Sequence, residues 1–283
     1  MAASTIKLFL PQGNPKGLRT AEVSNWTGKA IAAPRSEFKE LLERVELQNS
    51  GVYFLIGTDP ETGEAMAYIG EAEVIKDRIK SHTDKDFWIQ TVVFVSKDEN
   101  LTKSHIRYLE GRLIEITKDV GRVKLFNSKM SGSRLPESDL ADMEVFLSLI
   151  QLLLPVLGSD MLTPVRKSEN GKKNQNTLYC ETKGLKASGM RTPNGFVVLK
   201  GSQAVLVERP SAAKTHPGYM AQRAKLLENG SLESKNDHVV FTKDMEFSSP
   251  SAAGAIIVGG GTAGPSLWRN KNGKTLKEID EGM

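Results

Sequence analysis

Five side chains between residues 53 and 110 belong together by type and order: Tyr53, Tyr68, Arg78, His82 and Glu110. Two phenols, a guanidinium, an imidazole and one carboxylate suit the cutting of a phosphodiester with a single divalent cation. The carboxylate ligates the metal and waters complete the shell. Metal and arginine neutralise the charge gathering on the phosphate oxygens, while a phenol or the imidazole relays the proton of the attacking water. Taken singly, each residue also has a structural reading: strand packing for the tyrosines, a surface ion pair with Glu71 or Glu73 for Arg78, a helix-end charge for His82, a solvated face for Glu110. Their order and spacing are what favour chemistry.

The elements that must position them follow from the pattern of the chain. "GVYFLIGTDPETGEAMAYIG", residues 51 to 70, reads as two short strands around a turn. Val52, Phe54 and Ile56 face one way, and Tyr53 and Leu55 the other. The spacing predicts a helix from about Glu71 to His82, which would put Val74, Arg78 and His82 on one face. A third strand is expected over Thr91 to Lys97. A further helix, capped by Asn100, carries Leu101, Ile106, Leu109, Leu113 and Ile116 and places Glu110 at the edge of the apolar stripe. Upstream, a short strand over Ile6 to Leu10 and a helix from Ser36 to about Gln48, with Phe38, Leu41, Leu42 and Val45 inward, form a lead-in over residues 1–50.

"GVY" with "YIG" fifteen residues on, the arginine eight residues after the second glycine, the histidine four later and Glu110 downstream resemble the GIY-YIG nuclease superfamily. The resemblance covers about residues 51–130 and implies an α+β fold, a three-stranded antiparallel sheet flanked by helices, with Mg²⁺ or Mn²⁺ on Glu110. It also implies roles. Tyr53 is the proton acceptor or water-orienting phenol, Tyr68 supports the nucleophile or scissile phosphate, Arg78 stabilises the transition state and His82 is a candidate proton relay. Asn127 stands where the family often has a closing asparagine, and His105 is a site-supporting or structural residue. Val52 replaces the usual isoleucine. Glu71 stands where excision-repair members place a lysine, so that lysine's contribution is absent.

Beyond residue 130, a greasy helix over 140–154 belongs to a helical connection that ends in a linker-like stretch, residues 131–176 overall. Residues 177–283 then make a second, small α+β domain. It has an expected hairpin turning at Pro193-Asn194-Gly195, a helix capped by Ser249 and ended by Gly259, and a second hairpin turning at Asn272-Gly273. "FVVLKGSQA", "FSSPSAAGA" and "LWRNKNGKTL" resemble a domain of unassigned function found after GIY-YIG and DNA-methylase modules. "GGGTAG" (259–264) matches a dinucleotide-binding pattern only formally, since too little chain follows it for the rest of such a unit. No nucleotide cofactor is expected.

Charge separates the two parts. Residues 51–130 hold 12 Lys and Arg against 13 Asp and Glu, a balance of −1, whereas residues 161–283 hold 18 against 11, a balance of +7. A basic excess of that size is the footprint of a surface that meets a polyanion, or of ordinary solvated lysines; together with the two resemblances it makes double-stranded DNA the expected partner and the C-terminal domain the part that engages it. The composition, 39% apolar and 25% charged, excludes wholesale disorder. The apolar run Val145 to Leu157 is 13 residues long, short of the roughly 20 a membrane span needs, so no membrane partner is expected. One cysteine, Cys180, and an N-terminus without a signal-peptide pattern point to the cytoplasm. The sequence leaves two alternatives open: a non-catalytic DNA-binding protein on a nuclease fold, and an RNA-cleaving nuclease. Oligomeric state is not legible in it.

Overall fold

The computed structural model describes residues 3–127, 132–164 and 177–282, which fall into two compact units, 1–163 and 164–283. In the first, β1 (Ile6–Phe9), β2 (Arg19–Val23) and β3 (Gly28–Pro34) are followed by a short helix α1 (Phe38–Leu42). Then come β4 (Gly51–Thr58), β5 (Ala65–Ala72), α2 (Ile75–Lys80), β6 (Trp88–Ser96), α3 (Lys103–Val120), β7 (Lys124–Leu125) and α4 (Glu137–Val156).

The expected three-stranded sheet is the centre of a larger one. Seven strands run in the order β1-β2-β3-β6-β4-β5-β7, antiparallel except for the β5–β7 pair. Residues 1–50 are therefore part of the same sheet rather than a lead-in to it, because β3 pairs with β6 along seven residues. The alternation of β4 holds as expected. Val52 and Phe54 enter one core with Ala67, Ile69, Val92, Phe94 and the inner faces of α3 and α4. Tyr53 and Leu55 enter another with Ile75, Ile79, Trp88, Val93 and Leu41. A slip of one residue would exchange these faces and forfeit roughly 1.5–3 kcal/mol for each large side chain displaced. Helix α4 belongs to the first core rather than to a connection between domains. Arg19 (2.7 Å) and Gln90 (2.8 Å) both donate to its C-terminal Leu157 carbonyl.

Several local expectations are corrected. Glu71 and Ala72 continue the ladder of β5 against Val52 and Gly51, so α2 starts only at Ile75 and ends at Lys80. The helix expected from Ser36 to Gln48 stops at Leu42. The chain turns there, leaving Val45 exposed and burying the larger Leu47 instead. Helix α3 is capped by Thr102, whose hydroxyl accepts from the His105 amide (3.3 Å), while Asn100 bonds Asp98. Between β4 and β6 the register shifts at Ile56 and Gly57: Ile56 faces Gln90 but Gly57 faces Trp88. Ile89 is the extra residue, 66% exposed, and the bulge returns the Trp88 side chain to the Tyr53 face.

The second unit holds β8 (Leu178–Thr182), β9 (Leu185–Thr192), β10 (Gly195–Val198), β11 (Gln203–Val205), α5 (Ala212–Thr215) and α6 (Pro217–Glu228). They are followed by β12 (Leu232–Ser234), β13 (His238–Phe241), β14 (Met245–Phe247), α7 (Pro250–Val258), α8 (Gly264–Leu267) and α9 (Leu276–Glu281). The strands form one four-stranded sheet, β14-β10-β9-β8, and one three-stranded sheet, β11-β13-β12. The hairpin at residues 193–195 and the helix with its Ser249 cap and left-handed Gly259 (φ 66°) are as expected. The second hairpin is not. Only a bridge from Arg269 to Thr275 forms, because Thr275 and Glu278 close a capping box that starts α9. The linker-like residues 165–176 lie outside the described residues. No described helix is long and apolar enough to cross a membrane.

Candidate active site

Tyr53 and Gly70 are direct partners across β4 and β5, as are Leu55 and Tyr68. Both tyrosines therefore stand on one face, two pairs apart along the ladder. Their rings lie 6.0 Å apart and nearly parallel, at 22°. Tyr53 is wholly buried, whereas Tyr68 is only partly so. The shared-face helix expected for Val74, Arg78 and His82 does not form. Helix α2 stops before His82, which turns inward on a hydrogen bond from its amide to Ile79 (3.0 Å). The imidazole is 4% exposed, and its Nε2 lies 2.8 Å from the Tyr53 hydroxyl. Its ring also packs 4.6 Å from that of Tyr68.

Burial and charge set the proton affinities. His82 is held down to about 4, first by burial and then by Lys85 and Arg78, with Asp84 acting weakly the other way. It is neutral at pH 7. Burial raises the Tyr53 phenol above its ordinary value, a trend Arg78 partly offsets. Arg78, exposed on α2, is in turn raised, chiefly by its proximity to the Tyr53 oxygen. His82 Nδ1 has no hydrogen-bond partner among the described residues. Either neutral tautomer leaves that atom unsatisfied, which costs about 1–3 kcal/mol.

Glu110 approaches from the other side of the sheet. It stands on α3 beside buried Leu109, and its carboxyl is raised to about 7 by burial and by Glu71, while Arg78 pulls the other way. Among the described residues, no strand pairs with β5 beyond Ala67 on the side away from β4. The pairing of β7 reaches only Ala67, and Asn127 then clasps Ile69, donating to its carbonyl (2.7 Å) and accepting from its amide (3.2 Å). Asn127 is thus fixed on the strand that carries Tyr68. His105 does not join the site in its described contacts. Its ring receives the Thr102 amide in the helix cap and meets Asp139 on α4 at 3.1 Å. Glu73 pairs with Lys103 rather than Arg78.

The sequence reading missed what holds His82. Arg35 donates to the carbonyls of Thr83 (2.8 Å), Lys85 (2.6 Å) and Trp88 (3.3 Å), and its guanidinium lies 4.3 Å over the Trp88 ring. The Trp88 indole donates to the His82 carbonyl at 3.0 Å. A lone arginine before a helix carries no signal of this in sequence.

The second unit matches a known family. Residues 178–280 fit the model of a domain of unknown function, DUF4357. No curated protein and no solved structure matches the chain. Within that unit, Trp268 is fully buried, packed 4.5 Å from Phe196 and donating to the Pro250 carbonyl, so it is a core residue and cannot stack on a base. Cys180 is buried and its thiol raised to about 11, chiefly by that burial, which makes it inert.

Proposed function

We propose that this chain is a metal-dependent endonuclease of the GIY-YIG type acting on DNA, with chemistry in residues 51–130 and DNA engagement in the basic C-terminal unit. The observation that carries the reading is the buried Tyr53–His82 hydrogen bond behind Tyr68. A phenol with a raised pKa does not ionise by itself near neutral pH. Beside a neutral imidazole it passes a proton on as it receives one. Tyr68 and Arg78, the more open members, meet the nucleophilic water and the phosphate, and Tyr53 with His82 takes the proton inward. This reverses the order expected of the phenols, because full burial removes Tyr53 from direct contact with solvent. Arg78 supplies fixed positive charge where the pentacovalent phosphate gathers negative charge.

The residues fit a hard cation. Glu110 is a partly buried carboxylate whose ionised form is disfavoured by Glu71 beside it, and a divalent ion would offset that cost. Among the described residues no group of three His, Cys, Asp or Glu is set to hold a metal. Water and substrate phosphate would complete the shell, as is usual for Mg²⁺. A bound Mg²⁺ or Mn²⁺ would draw charge from the phosphate oxygens.

The test is cleavage of plasmid, single-stranded DNA and RNA with Mg²⁺, Mn²⁺ or EDTA by the full chain, Tyr53→Phe and Arg78→Ala. Cutting that needs metal and falls about a hundredfold or more in both variants is expected. Variants that cut as well as the parent would remove the site from the reaction. RNA cleavage in place of DNA cleavage would change the substrate assigned. DNA affinity is expected to fall steeply with salt through counterion release, and far less steeply in a chain ending at Met161.

A further inference from the structure

One aromatic surface beside the site is used neither by the core nor by the proposed chemistry. Phe126 is 51% exposed. Its ring stacks on buried Phe87 (centroids 5.1 Å, 13°), and its centroid is 6.3 Å from that of Tyr68. The Lys85 ammonium stands 5.8 Å from the Phe126 centroid and pairs with Asp84 at 3.7 Å. Leaving half a phenylalanine in water forgoes hydrophobic stabilisation, yet this ring is firmly mounted. The Phe126 amide donates to Ala67 (2.8 Å), and Asn127 clasps Ile69 on its other side. Below it, the Phe87 carbonyl accepts from the Thr58 amide (3.0 Å), and Arg35 holds the Lys85 carbonyl.

We propose that Phe126 is a stacking platform for a nucleobase next to the phosphate held at Tyr68 and Arg78, with Lys85 facing that nucleotide's backbone. This deepens the nuclease reading and rests on it for the position of the phosphate. A half-exposed aromatic ring with an ammonium beside it fits a base, which is planar and carries its own anion. An apolar side chain of another protein would make no use of the ammonium beside the ring. Stacking of this kind is sequence-tolerant, because every base has a π face. The platform therefore contributes affinity and positioning rather than recognition of one base.

The experiment is calorimetric titration of the full-length chain, in EDTA, with thymidine 5′-monophosphate and with 2-deoxyribose 5-phosphate, which differ only in the base. The nucleotide is expected to bind about tenfold or more tighter than the sugar phosphate, the usual worth of one stacked base. That advantage is expected to vanish in Phe126→Ala and Phe126→Leu and to persist in Phe126→Trp. Equal affinities for the two ligands in the parent, or an advantage that survives Phe126→Ala, would overturn the proposal. An advantage kept by Phe126→Leu would also overturn it, since that describes apolar contact and not stacking. These measurements do not depend on cleavage. A Phe126-dependent advantage in a chain that cuts no DNA or RNA would sink the nuclease reading alone. Cleavage with no such advantage would sink the platform alone.

Discussion

Gly70 leaves the space that Tyr53 fills. The two are paired across β4 and β5, and a Cβ on residue 70 would lie 2.4 Å from the Tyr53 hydroxyl oxygen and 2.5 Å from Cζ. The glycine that closes "YIG" is thus the seat of the tyrosine that closes "GVY". Gly51 opens the first strand for a related reason, since a Cβ there would meet the Phe94 carbonyl at 2.2 Å. The near-mirror arrangement of tyrosines and glycines is a packing solution that sets one phenol beneath the other.

Gly70→Ala is expected to push the Tyr53 ring off His82 while leaving the sheet formed. Cleavage should fall as far as in Tyr53→Phe, about a hundredfold, with DNA affinity unchanged. Kinetics and fluorescence anisotropy on the same duplex check both. Near-normal cutting would show that the Tyr53 hydroxyl need not sit at His82.

Glu110 trades stability for chemistry. Its carboxyl is raised from 4.5 to about 7, so its contribution to stability is present below pH 4.5 and lost as pH rises through 7. At pH 8 in EDTA the ionised group costs the native state, by an upper figure of about 3 kcal/mol. Glu110→Gln should therefore melt several degrees higher than the parent at pH 8, with little difference at pH 4.5, and should lose Mn²⁺ binding in calorimetry. A variant less stable at pH 8 would mean that Glu110 is held by a favourable partner there.

His82 works the other way over an overlapping range. Above pH 6.5 both folded and unfolded chains carry it neutral. Below that, the unfolded chain takes up a proton that the native site refuses until about pH 4. Stability is full above 6.5 and falls as pH drops toward 4, by on the order of 3 kcal/mol. Glu110 masks this by gaining stability over much of the same fall, so the comparison belongs in the Glu110→Gln background. Urea unfolding of Glu110→Gln and Glu110→Gln/His82→Gln at pH 7 and 4.5 should show the larger acid loss in the variant that keeps His82. Parallel losses would place the His82 ring in solvent.

Arg35 is a positioning residue for His82. Arg35→Lys keeps the charge but cannot reach three carbonyls or cover the Trp88 ring. Turnover should drop roughly ten- to a hundredfold with KM and DNA affinity little changed. An affinity loss matching the loss in rate would mean that Arg35 meets phosphate itself.

The α+β character, the β4–β5 hairpin, the alternation along β4 and the candidate residues Tyr53, Tyr68, Arg78, His82 and Glu110 were legible in the sequence, because local periodicity and turn chemistry are written into adjacent residues. Strands β2 and β3 were not. "RTAEV" is short and carries two charges, and "GKAIAAP" is rich in alanine, a weak strand former; β3 becomes a strand by pairing with β6, and β2 by pairing in turn with β3. Position was likewise a tertiary matter. A four-residue spacing put His82 on a helix with Arg78, but continuation of β5 through Ala72 shortened that helix, and burial beneath Tyr68 brought the imidazole to Tyr53. The two phenols could be read as a pair from their order. Which of them is the more open, and that Glu110 comes within electrostatic reach of Arg78, follows only from how α2 and α3 pack against the sheet.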